Sequence, residues 1–553
     1  MTLLLLPAGT TADEIAAAGL SPGLMSAGLG TVPPEQTYLD ITQGNRVFDS
    51  LYDEDLPPRA GDRAGWWQSV MTRAESAPAD IVPGLLSATL RKEGVRAGSF
   101  VLRPGTLGQA SPHRGELLIA LARPTGETDD PLPIGIAGRG FDGNLTSDST
   151  RTDGYVLSTD VAPTILGWFG IRVPSEMSGQ PIRAEGTVDV AAIEALGARM
   201  EVISSRRGPV VGLNVAIWLV ALLLVALLSR GGLARPAVRV AGLAIVYLPL
   251  VLLLGAALEP GETAERLLVL LLAPLLGVAT LLLLRGYRAL GVAAGLAVLA
   301  YAIDVIAGSP LTSLSLLGPN PGLGVRFYGI GNELEALLAV LVVAGTGAGL
   351  AGFAPRRQAR ETAVAFLAIG LLAAFVFAAG RFGADVGAAI VLPVGAGVAA
   401  ATVAGRGRRP LVLALVAAPL AVLALLALVD LLSGANAHLT RSVLDAGGLG
   451  DLADVAQRRL QLSAHSFARP VLLAFLPVVV AAAALAYLRR DRLRAWVAGV
   501  PAMRAGLLGA LAATVVGTLA NDSGALVLEI GTAYLLVFVG FAWAQSSGNS
   551  AES

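Results

Sequence analysis

Six polar side chains lie close together in Pro319–Ala336 (PNPGLGVRFYGIGNELEA), a segment between two long apolar blocks. They are Asn320, Arg326, Tyr328, Asn332, Glu333 and Glu335. Ionisable groups at membrane depth are costly, so they normally face a protein interior or a water-filled cavity. The four glycines and two prolines of the segment disfavour a continuous helix. The segment and the helix that it opens are therefore predicted to form the wall of a polar site; the alternative is a solvated loop followed by a helix.

Further polar residues occur near the ends of the other apolar blocks. A general acid or base and nucleophilic or electrostatic carboxylates are the residue types that catalysis needs, and the candidates for such roles are His438, Glu333, Asp385 and Glu529. Arginine recognises pyrophosphate through paired hydrogen bonds. The candidates for substrate binding are Arg326, Tyr328, Asn332, Arg381, Arg441, Asn521 and Asp522. The alternative is a structural network of ion pairs at helix ends, with His438 as a capping or interface residue.

The composition places these residues in a membrane protein. A mean hydropathy of +0.68 and 54% apolar residues are too high for a soluble chain of 553 residues. Residues 1–208 have a mixed composition, whereas residues 209–545 consist of long apolar runs, which predicts one soluble domain and one all-α polytopic domain. Eleven spans are predicted, near 209–229, 236–258, 265–284, 288–307, 331–352, 362–380, 384–404, 410–432, 470–488, 500–520 and 524–545. The net charge of −1 indicates no nucleic-acid partner, and the absence of cysteine excludes disulfides and thiolate metal sites.

The loops between the spans alternate in charge. One set is rich in arginine, and the positive-inside rule makes it cytoplasmic. This predicts a multi-pass protein of the cell membrane with residues 1–208 outside, an external amphipathic segment at 433–469, and a cytoplasmic tail at 546–553. Because the opening MTLLLLPAG is too short for a signal peptide, we expect a preceding signal or anchor helix, or a rarer export route.

The first 208 residues alternate between strand-like and helix-like patterns, which predicts an α/β domain with a mainly parallel sheet. The first strand is expected in MTLLLL and another at Tyr38–Ile41. A helix is expected at Arg46–Tyr52, and Val188–Ser205 is expected to be the helix that leads to the membrane. Ser147, Ser149, Thr150, Arg151 and Asp153 form a predicted polar lip, or alternatively a solvated turn cluster.

Two stretches of this domain resemble the alkaline phosphatase/sulfatase superfamily. They are LLLLPAGTTADEI and STDVAPTILGWFGIRVPSEMSGQPI, in which Asp160, Pro163, Thr164, Leu166 and Gly170 match the late segment of that superfamily. Over nearly its full length the chain also resembles a group of actinobacterial and firmicute membrane proteins that join such an ectodomain to a polytopic block. The matching stretches are Thr37–Arg46, Leu145–Gly154, Arg326–Ala336, Gly383–Ala388, Ala437–Val443 and Asn521–Gly524. This resemblance implies an architecture and not a reaction.

The residues that active members of the superfamily need are largely missing. Their dinuclear metal site uses several Asp and His residues, but Pro7 or Ala8 stands where the first Asp is expected. Thr31, Thr37 and Thr42 are weak stand-ins for the nucleophile, and His113 is the one histidine of this domain. One histidine and scattered carboxylates cannot supply the ligands of two metal ions. The domain is therefore predicted to be a truncated, catalytically inactive relative, with no metal and no cofactor.

The functional hypothesis combines these inferences. We expect an envelope protein that binds or processes a lipid-linked phosphate or glycan precursor, such as a polyprenyl-phosphate-linked glycan, at the outer leaflet. One alternative is a transporter or flippase of such a lipid, which would need a polar path through both leaflets. Another is a non-catalytic assembly factor, and an active phosphoester or sulfoester hydrolase is the least favoured.

Overall fold

The computed structural model describes residues 1–58, 63–95, 101–105, 107, 116–229, 231–405, 420–422, 463–464, 466–468 and 470–546. These residues form two compact units. The N-terminal unit contains Met1–Ser204 together with Asn320–Phe327, and the helical unit contains Ser205–Pro319 and the residues from Tyr328 onward. The segment Pro319–Ala336, which the sequence presents as one stretch, is thus divided between the units.

The N-terminal unit is built on a six-stranded sheet of mixed direction. The strands are β1 (Thr2–Leu6), β2 (Ser21–Ser26), β3 (Val101–Pro104), β4 (Leu118–Ala122), β5 (Leu132–Ala137) and β7 (Tyr155–Leu157), in the order β3-β1-β4-β5-β2-β7. β1 pairs in parallel with β3 and β4, and β2 with β7, whereas β5 is antiparallel to both of its neighbours. Five of the six strands therefore run in the same direction, which confirms the prediction of a mainly parallel sheet, and β5 is the one strand of this sheet that runs the other way. β6 (Asn144–Thr146) and β8 (Arg183–Glu185) form a separate antiparallel pair.

Side chains of the central strands alternate between two apolar cores. Leu4 and Leu6 of β1 share one core with Leu118, whereas Leu3 packs in the other core with Ile119. Both faces of the sheet are therefore covered, which explains why β1 is an unbroken run of leucines. The helices of this unit are α1 (Ala12–Ala17), α2 (Pro34–Gln43), α3 (Arg63–Glu75), α4 (Leu85–Lys92), α5 (Val161–Trp168) and α6 (Val190–Arg206).

Two local predictions failed in the same region. The strand expected at Tyr38–Ile41 is part of α2, which starts with Pro34 at its first position and ends at Gly44 in the left-handed conformation (φ 66°). These terminal signals favour a helix and outweigh the β propensity of the residues between them. The helix expected at Arg46–Tyr52 is reduced to one 3-10 turn, Asp49–Leu51.

The helical unit is a bundle of long apolar helices. They are α7 (Leu213–Leu228), α8 (Ala234–Leu258), α9 (Glu262–Leu283), α10 (Tyr287–Ile306), α11 (Asn332–Phe353), α12 (Ala359–Ala378), α13 (Val386–Val403), α14 (Pro470–Leu488), α15 (Arg490–Trp496), α16 (Pro501–Ala520) and α17 (Gly524–Gln545). Within the described ranges, nine helices are long and apolar enough to cross a membrane, one of them the continuous run Val190–Leu228. The apolar part of α14, Phe475–Leu488, is shorter. The predicted span 410–432 and most of the predicted external segment 433–469 lie outside the described residues.

Glycines bring the central helices α11, α13 and α16 into backbone contact. A side-chain carbon built on Gly509 would lie 2.4 Å from the carbonyl oxygen of Gly395, and one built on Gly347 would lie 2.7 Å from the carbonyl oxygen of Ala502. Small residues allow membrane helices to approach this closely, because dispersion and not water exclusion holds them together. The centre of the bundle is therefore tightly filled.

The two ends of this bundle differ in charge. We call the end that contains the start of α11, the start of α13 and the turn between α16 and α17 the polar end. At the other end Arg288 donates to the carbonyl oxygen of Gly352 (2.8 Å), and Arg235 lies over the ring of Trp543 (5.6 Å). Arg239 donates to the carbonyl oxygen of Ala544 there. We call this the basic end.

Candidate functional site

The polar end contains a buried carboxylate, that of Glu335. α11 begins after Gly331, so Glu335 lies in its first turn, and only 2% of the residue is exposed. The first turn of a helix favours a negative charge, because its free N–H groups carry the positive end of the helix dipole. This position lowers the cost of burying Glu335 but does not remove it.

Asparagine side chains surround this carboxylate. Nδ2 of Asn521 donates to Oε2 of Glu335 (2.6 Å) and to Oδ1 of Asn332 (3.1 Å). Nδ2 of Asn332 in turn donates to Oδ1 of the exposed Asp522 (3.1 Å). The Asn521 side chain also accepts a hydrogen bond from the backbone N–H of Ser523 (2.8 Å), which holds the turn between α16 and α17. A continuous hydrogen-bond network therefore leads from a buried carboxylate to an exposed one.

Glycines on two neighbouring helices leave room for the Glu335 carboxylate. A side-chain carbon built on Gly387 of α13 would lie 2.2 Å from Oε2 of Glu335, which is far inside van der Waals contact. One built on Gly517 of α16 would lie 3.7 Å from Oε1. α13, α16 and α11 thus form the walls around the carboxylate, and Gly387 is the position at which any larger residue would displace it.

The loop before α13 holds the start of α11. The backbone N–H of Ile330 donates to the carbonyl oxygen of Gly383 (3.0 Å), and the same oxygen lies 2.0 Å from a side-chain carbon built on Gly329. Asp385 follows two residues later and caps α13 by accepting from the N–H of Ala388 (2.8 Å). The predicted catalytic candidate Asp385 therefore has the geometry of a helix cap, 3% exposed.

Two of the ion pairs of the helical unit are made by neighbouring arginines at the end of α6. Arg206 bonds to Oε2 of Glu265 (3.0 Å), whose side chain is fully buried, and to the carbonyl oxygen of Pro260 (2.9 Å). Arg207 bonds to Oε1 of Glu333 (3.3 Å), and both of these side chains are partly exposed. Glu333 and Glu335, two residues apart, thus have different environments: Glu333 is partly exposed and paired with Arg207, whereas Glu335 is buried and accepts a hydrogen bond from Asn521.

The remaining predicted residues do not all join this cluster. Arg381 is exposed and lies over the ring of Phe382 (5.5 Å), and Glu529 is half-buried within α17. Arg326 belongs to the N-terminal unit, whereas the half-buried Tyr328 belongs to the helical unit. His438 and Arg441 lie outside the described residues, as does His113.

Glu335 was one of the six polar side chains of the predicted polar wall, but it was not among the residues chosen as candidates for catalysis or binding. The signal that would have found it is its position in the first turn of an apolar helix, on the side that faces its neighbours. Its pairing with Asn521 has no signature in the local sequence.

In the N-terminal unit, the carboxylate of Asp160 organises the predicted polar lip. Its Oδ2 accepts from Ser147 Oγ (2.6 Å) and the N–H of Leu157 (2.9 Å), and its Oδ1 accepts from Ser149 Oγ (2.6 Å) and the N–H of Gln180 (2.8 Å). Burial raises the pKa of Asp160, and these four donors oppose the rise. Each oxygen already has two donors, which is its ordinary capacity.

A second buried carboxylate of this unit belongs to Asp40 of α2. It accepts hydrogen bonds from Nε2 of Gln36 (2.7 Å) and Nε2 of Gln43 (3.2 Å). Gln36 also accepts from Arg73 (2.9 Å), whose guanidinium pairs with Asp49 and lies 3.5 Å from the ring centre of Tyr52. Burial raises the pKa of Asp40 to about 7 despite these donors and the charges of the nearby arginines.

A cavity of about 570 Å³ lies at the basic end of the helical unit. Polar and aromatic side chains from four helix termini line it, among them Tyr287, Arg357, Thr362, Trp496 and Gln545. Its volume is in the range of small-molecule sites. No group of three or more metal-binding side chains occurs among the residues that the structure describes.

Comparison of the chain with models of known protein families, with curated proteins and with solved structures gives no match.

Proposed function

We propose that this chain is a multi-pass protein of the cell envelope whose helical unit binds the headgroup of a lipid-linked glycan or phosphate at the outer leaflet. The observation that carries the proposal is the network of Glu335, Asn521, Asn332 and Asp522 at the polar end. Buried polar groups in a membrane bundle are costly and therefore mark functional sites. These carboxylates and amides form a chain of hydrogen bonds that reaches the surface. Each of them can replace a hydrogen bond to its neighbour by one to a sugar hydroxyl.

The distribution of arginine supports the orientation. Arg235, Arg239 and Arg288 all bond or stack at the basic end, and the positive-inside rule assigns such an end to the cytoplasm. The polar end then faces outward. The exposed Arg381 is four residues before Asp385 in the loop at that end, and we assign to it the contact with the phosphate of the lipid.

For the N-terminal unit we propose an inactive, truncated phosphatase-like domain outside the cell. Asp160, one of the five residues that carry the resemblance, has all its acceptor positions occupied by protein donors, which supports a structural role. Metal analysis of the purified chain tests this proposal. Two stoichiometric zinc or manganese ions would contradict it.

The lipid proposal is tested by purifying the chain in native-lipid nanodiscs and identifying retained lipids by mass spectrometry. We expect a polyprenyl-phosphate lipid or glycolipid to be enriched over bulk membrane, and Arg381→Ala and Asn521→Ala to lose most of this enrichment. Arg490→Ala is the matched control, because Arg490 is also an exposed arginine over an aromatic ring (Tyr487, 4.8 Å). Retention of only bulk phospholipids, or equal loss in the control, would contradict the proposal.

The cavity at the basic end favours a second candidate, a flippase for the same lipid. It places an open volume at the end of α11 opposite Glu335, about 25 Å away at the rise of 1.5 Å per residue of an α-helix. The glycine contacts close α11, α13 and α16 against one another, so transport between these three helices would require them to separate. Movement of a fluorescent polyprenyl-phosphate analogue between leaflets of proteoliposomes would favour this candidate over simple binding.

A further inference from the structure

One segment of the N-terminal unit lies more than 100 residues after the rest of that unit in the sequence. Asn320–Phe327, which we call the strap, follows α10 and precedes α11 in sequence, yet it packs as part of the N-terminal unit. It contains a single short 3-10 turn, Pro321–Leu323, so its position depends on its contacts and not on its own secondary structure.

Backbone atoms of the strap are held at three successive points. The hydroxyl of Tyr155 donates to the carbonyl oxygen of Pro321 (3.0 Å), and the N–H of Gly30 donates to that of Leu323 (2.9 Å). Nη2 of Arg46 donates to the carbonyl oxygen of Gly324 (2.7 Å). Three carbonyl groups that would otherwise need water are thus satisfied by the unit.

Arg46 connects the strap to the end of β2. Its Nη1 donates to Ser26 Oγ (2.9 Å) and to the carbonyl oxygen of Gly28 (2.8 Å), while its Nη2 holds the strap. The ring of Phe327 lies under the same guanidinium (5.8 Å) and beside the ring of Tyr155 (6.0 Å). All these donors have acceptors from the protein, so Arg46 is a structural clamp.

The fit around Gly324 admits no side chain. Its φ is +71°, and a side-chain carbon built on it would lie 2.1 Å from the carbonyl oxygen of Gly28. Two separate constraints, the left-handed backbone and the close approach, therefore require glycine at this position. Gly322 is similarly close to the side chain of Met200 (3.1 Å).

The strap continues directly into the polar end of the helical unit. Only Tyr328–Gly331 separate it from α11, and within these four residues Gly329 donates to Ser309 Oγ (2.8 Å) and Ile330 to the carbonyl oxygen of Gly383 (3.0 Å). Glu335 follows in the first turn of α11. Only four residues therefore connect the strap to the helix start that carries the buried carboxylate.

We propose that the strap couples the N-terminal unit to the Glu335 cluster, with Arg46 and Tyr155 as positioning residues that keep the first turn of α11 in place. This inference rests on the proposed function for its biological meaning: it makes the N-terminal unit a regulator of headgroup binding. The coupling itself, in which the position of the strap controls the surroundings of Glu335, does not depend on what the site binds.

The test measures the reactivity of Glu335 in the full chain, without added lipid ligand. Dicyclohexylcarbodiimide, an apolar reagent that adds to carboxyl groups in membrane proteins, is applied to nanodisc samples, and labelling is located by mass spectrometry. Glu529 of α17 serves as the internal reference. Gly324→Ala is expected to raise the Glu335/Glu529 labelling ratio severalfold, because the strap must leave its place and the first turn of α11 loosens.

Gly9→Ala is the matched control. Gly9 also has a left-handed backbone (φ +83°), but a side chain there would meet nothing within 4 Å and it does not contact the strap. An unchanged labelling ratio in Gly324→Ala would overturn the proposal, as would an equal rise in Gly9→Ala. Hydrogen exchange in β1 and β4 checks that the N-terminal unit remains folded.

A milder variant keeps the proposal testable should Gly324→Ala fail to fold. Tyr155→Phe removes only the hydrogen bond to the strap and keeps the ring beside Phe327, and Tyr38→Phe controls for loss of a hydroxyl. We expect a smaller rise in labelling for Tyr155→Phe alone. Since the measurement needs no lipid, its failure is separate from failure of the lipid enrichment that tests the proposed function.

Discussion

Nδ2 of Asn521 lies 2.6 Å from Oε2 of Glu335, although 186 residues separate the two in the chain. This contact joins the start of α11 to the turn between α16 and α17. Charge-assisted hydrogen bonds are stronger than neutral ones, and loss of this one removes a donor from a buried acceptor.

We expect Asn521→Ala to destabilise the helical unit by about 2–4 kcal/mol, because the carboxylate of Glu335 stays buried after its donor is removed. Thermal unfolding in detergent measures the effect. Asp522→Ala is the control: Asp522 is exposed and accepts only the hydrogen bond from Asn332 in this network, so its loss should cost less than about 1 kcal/mol. Equal effects of the two variants would show that the cluster is not centred on Glu335.

Gly387→Ala should destabilise the protein by about 1–3 kcal/mol, the usual cost of overpacking. The added methyl group would lie 2.2 Å from Oε2 of Glu335 and must push the carboxylate away from Asn521. Gly295→Ala in α10 is the matched change, since nothing lies within 4 Å of the new carbon. Alanine is the better helix former, so this control should be neutral or more stable by up to about 1 kcal/mol. A neutral Gly387→Ala would mean that the carboxylate has room to move.

Arg206→Ala should cost about 3–5 kcal/mol, because it removes a cation that bonds to the fully buried side chain of Glu265. Arg357→Ala removes an exposed pair with Glu361 one helical turn away and should cost less than about 0.5 kcal/mol. Unfolding in detergent compares both variants with the parent. Restoration of stability in the double variant Arg206→Ala/Glu265→Gln would identify the unpaired charge as the cause.

The N-terminal unit should lose stability as the pH rises from about 4 to about 7. The pKa of Asp40 is raised from 3.8 to about 7 in the folded state, so the folded state holds a proton that the unfolded chain releases over this interval. Stability from this group is complete below the lower value and is lost as pH passes the higher one. Asp40→Asn cannot ionise and should flatten the dependence. Hydrogen exchange of α2 in the full chain, corrected for intrinsic rates, is the measurement, and an equally steep dependence in Asp40→Asn would assign it to another group.

The helical architecture could be predicted from the sequence, because apolar runs of about 20 residues are typical of helices that cross a membrane. Nine of the predicted spans correspond to long apolar helices in the described parts of the chain. Charge asymmetry likewise separated the loops into two sets, and the arginines of one set meet at one end of the bundle. These are properties of local composition, which folding does not rearrange.

The polar candidates were predicted less well, because local sequence cannot show which side of a helix a residue faces. Glu333 and Glu335 are two positions apart, but only the side chain of Glu335 lies against Gly387 of α13 and Gly517 of α16. Asp385 stands out by its charge in an apolar stretch, and it proves to cap the next helix. The mainly parallel direction of the N-terminal sheet was predicted, but the reversed direction of β5 was not, because the direction of a strand depends on pairing partners that are distant in sequence.

The sequence by itself determined a mixed N-terminal part, a bundle of membrane-length helices, and the clustering of charge at loop positions, since all three follow from hydrophobicity along a short stretch of chain. Tertiary structure alone decided that Asn521 and Gly387 enclose Glu335, and that Asn320–Phe327 leaves the helical unit to pack against Arg46 and Tyr155. Such contacts form between residues that are far apart in the chain, and their energy comes from complementary shape and hydrogen bonding that no local pattern encodes.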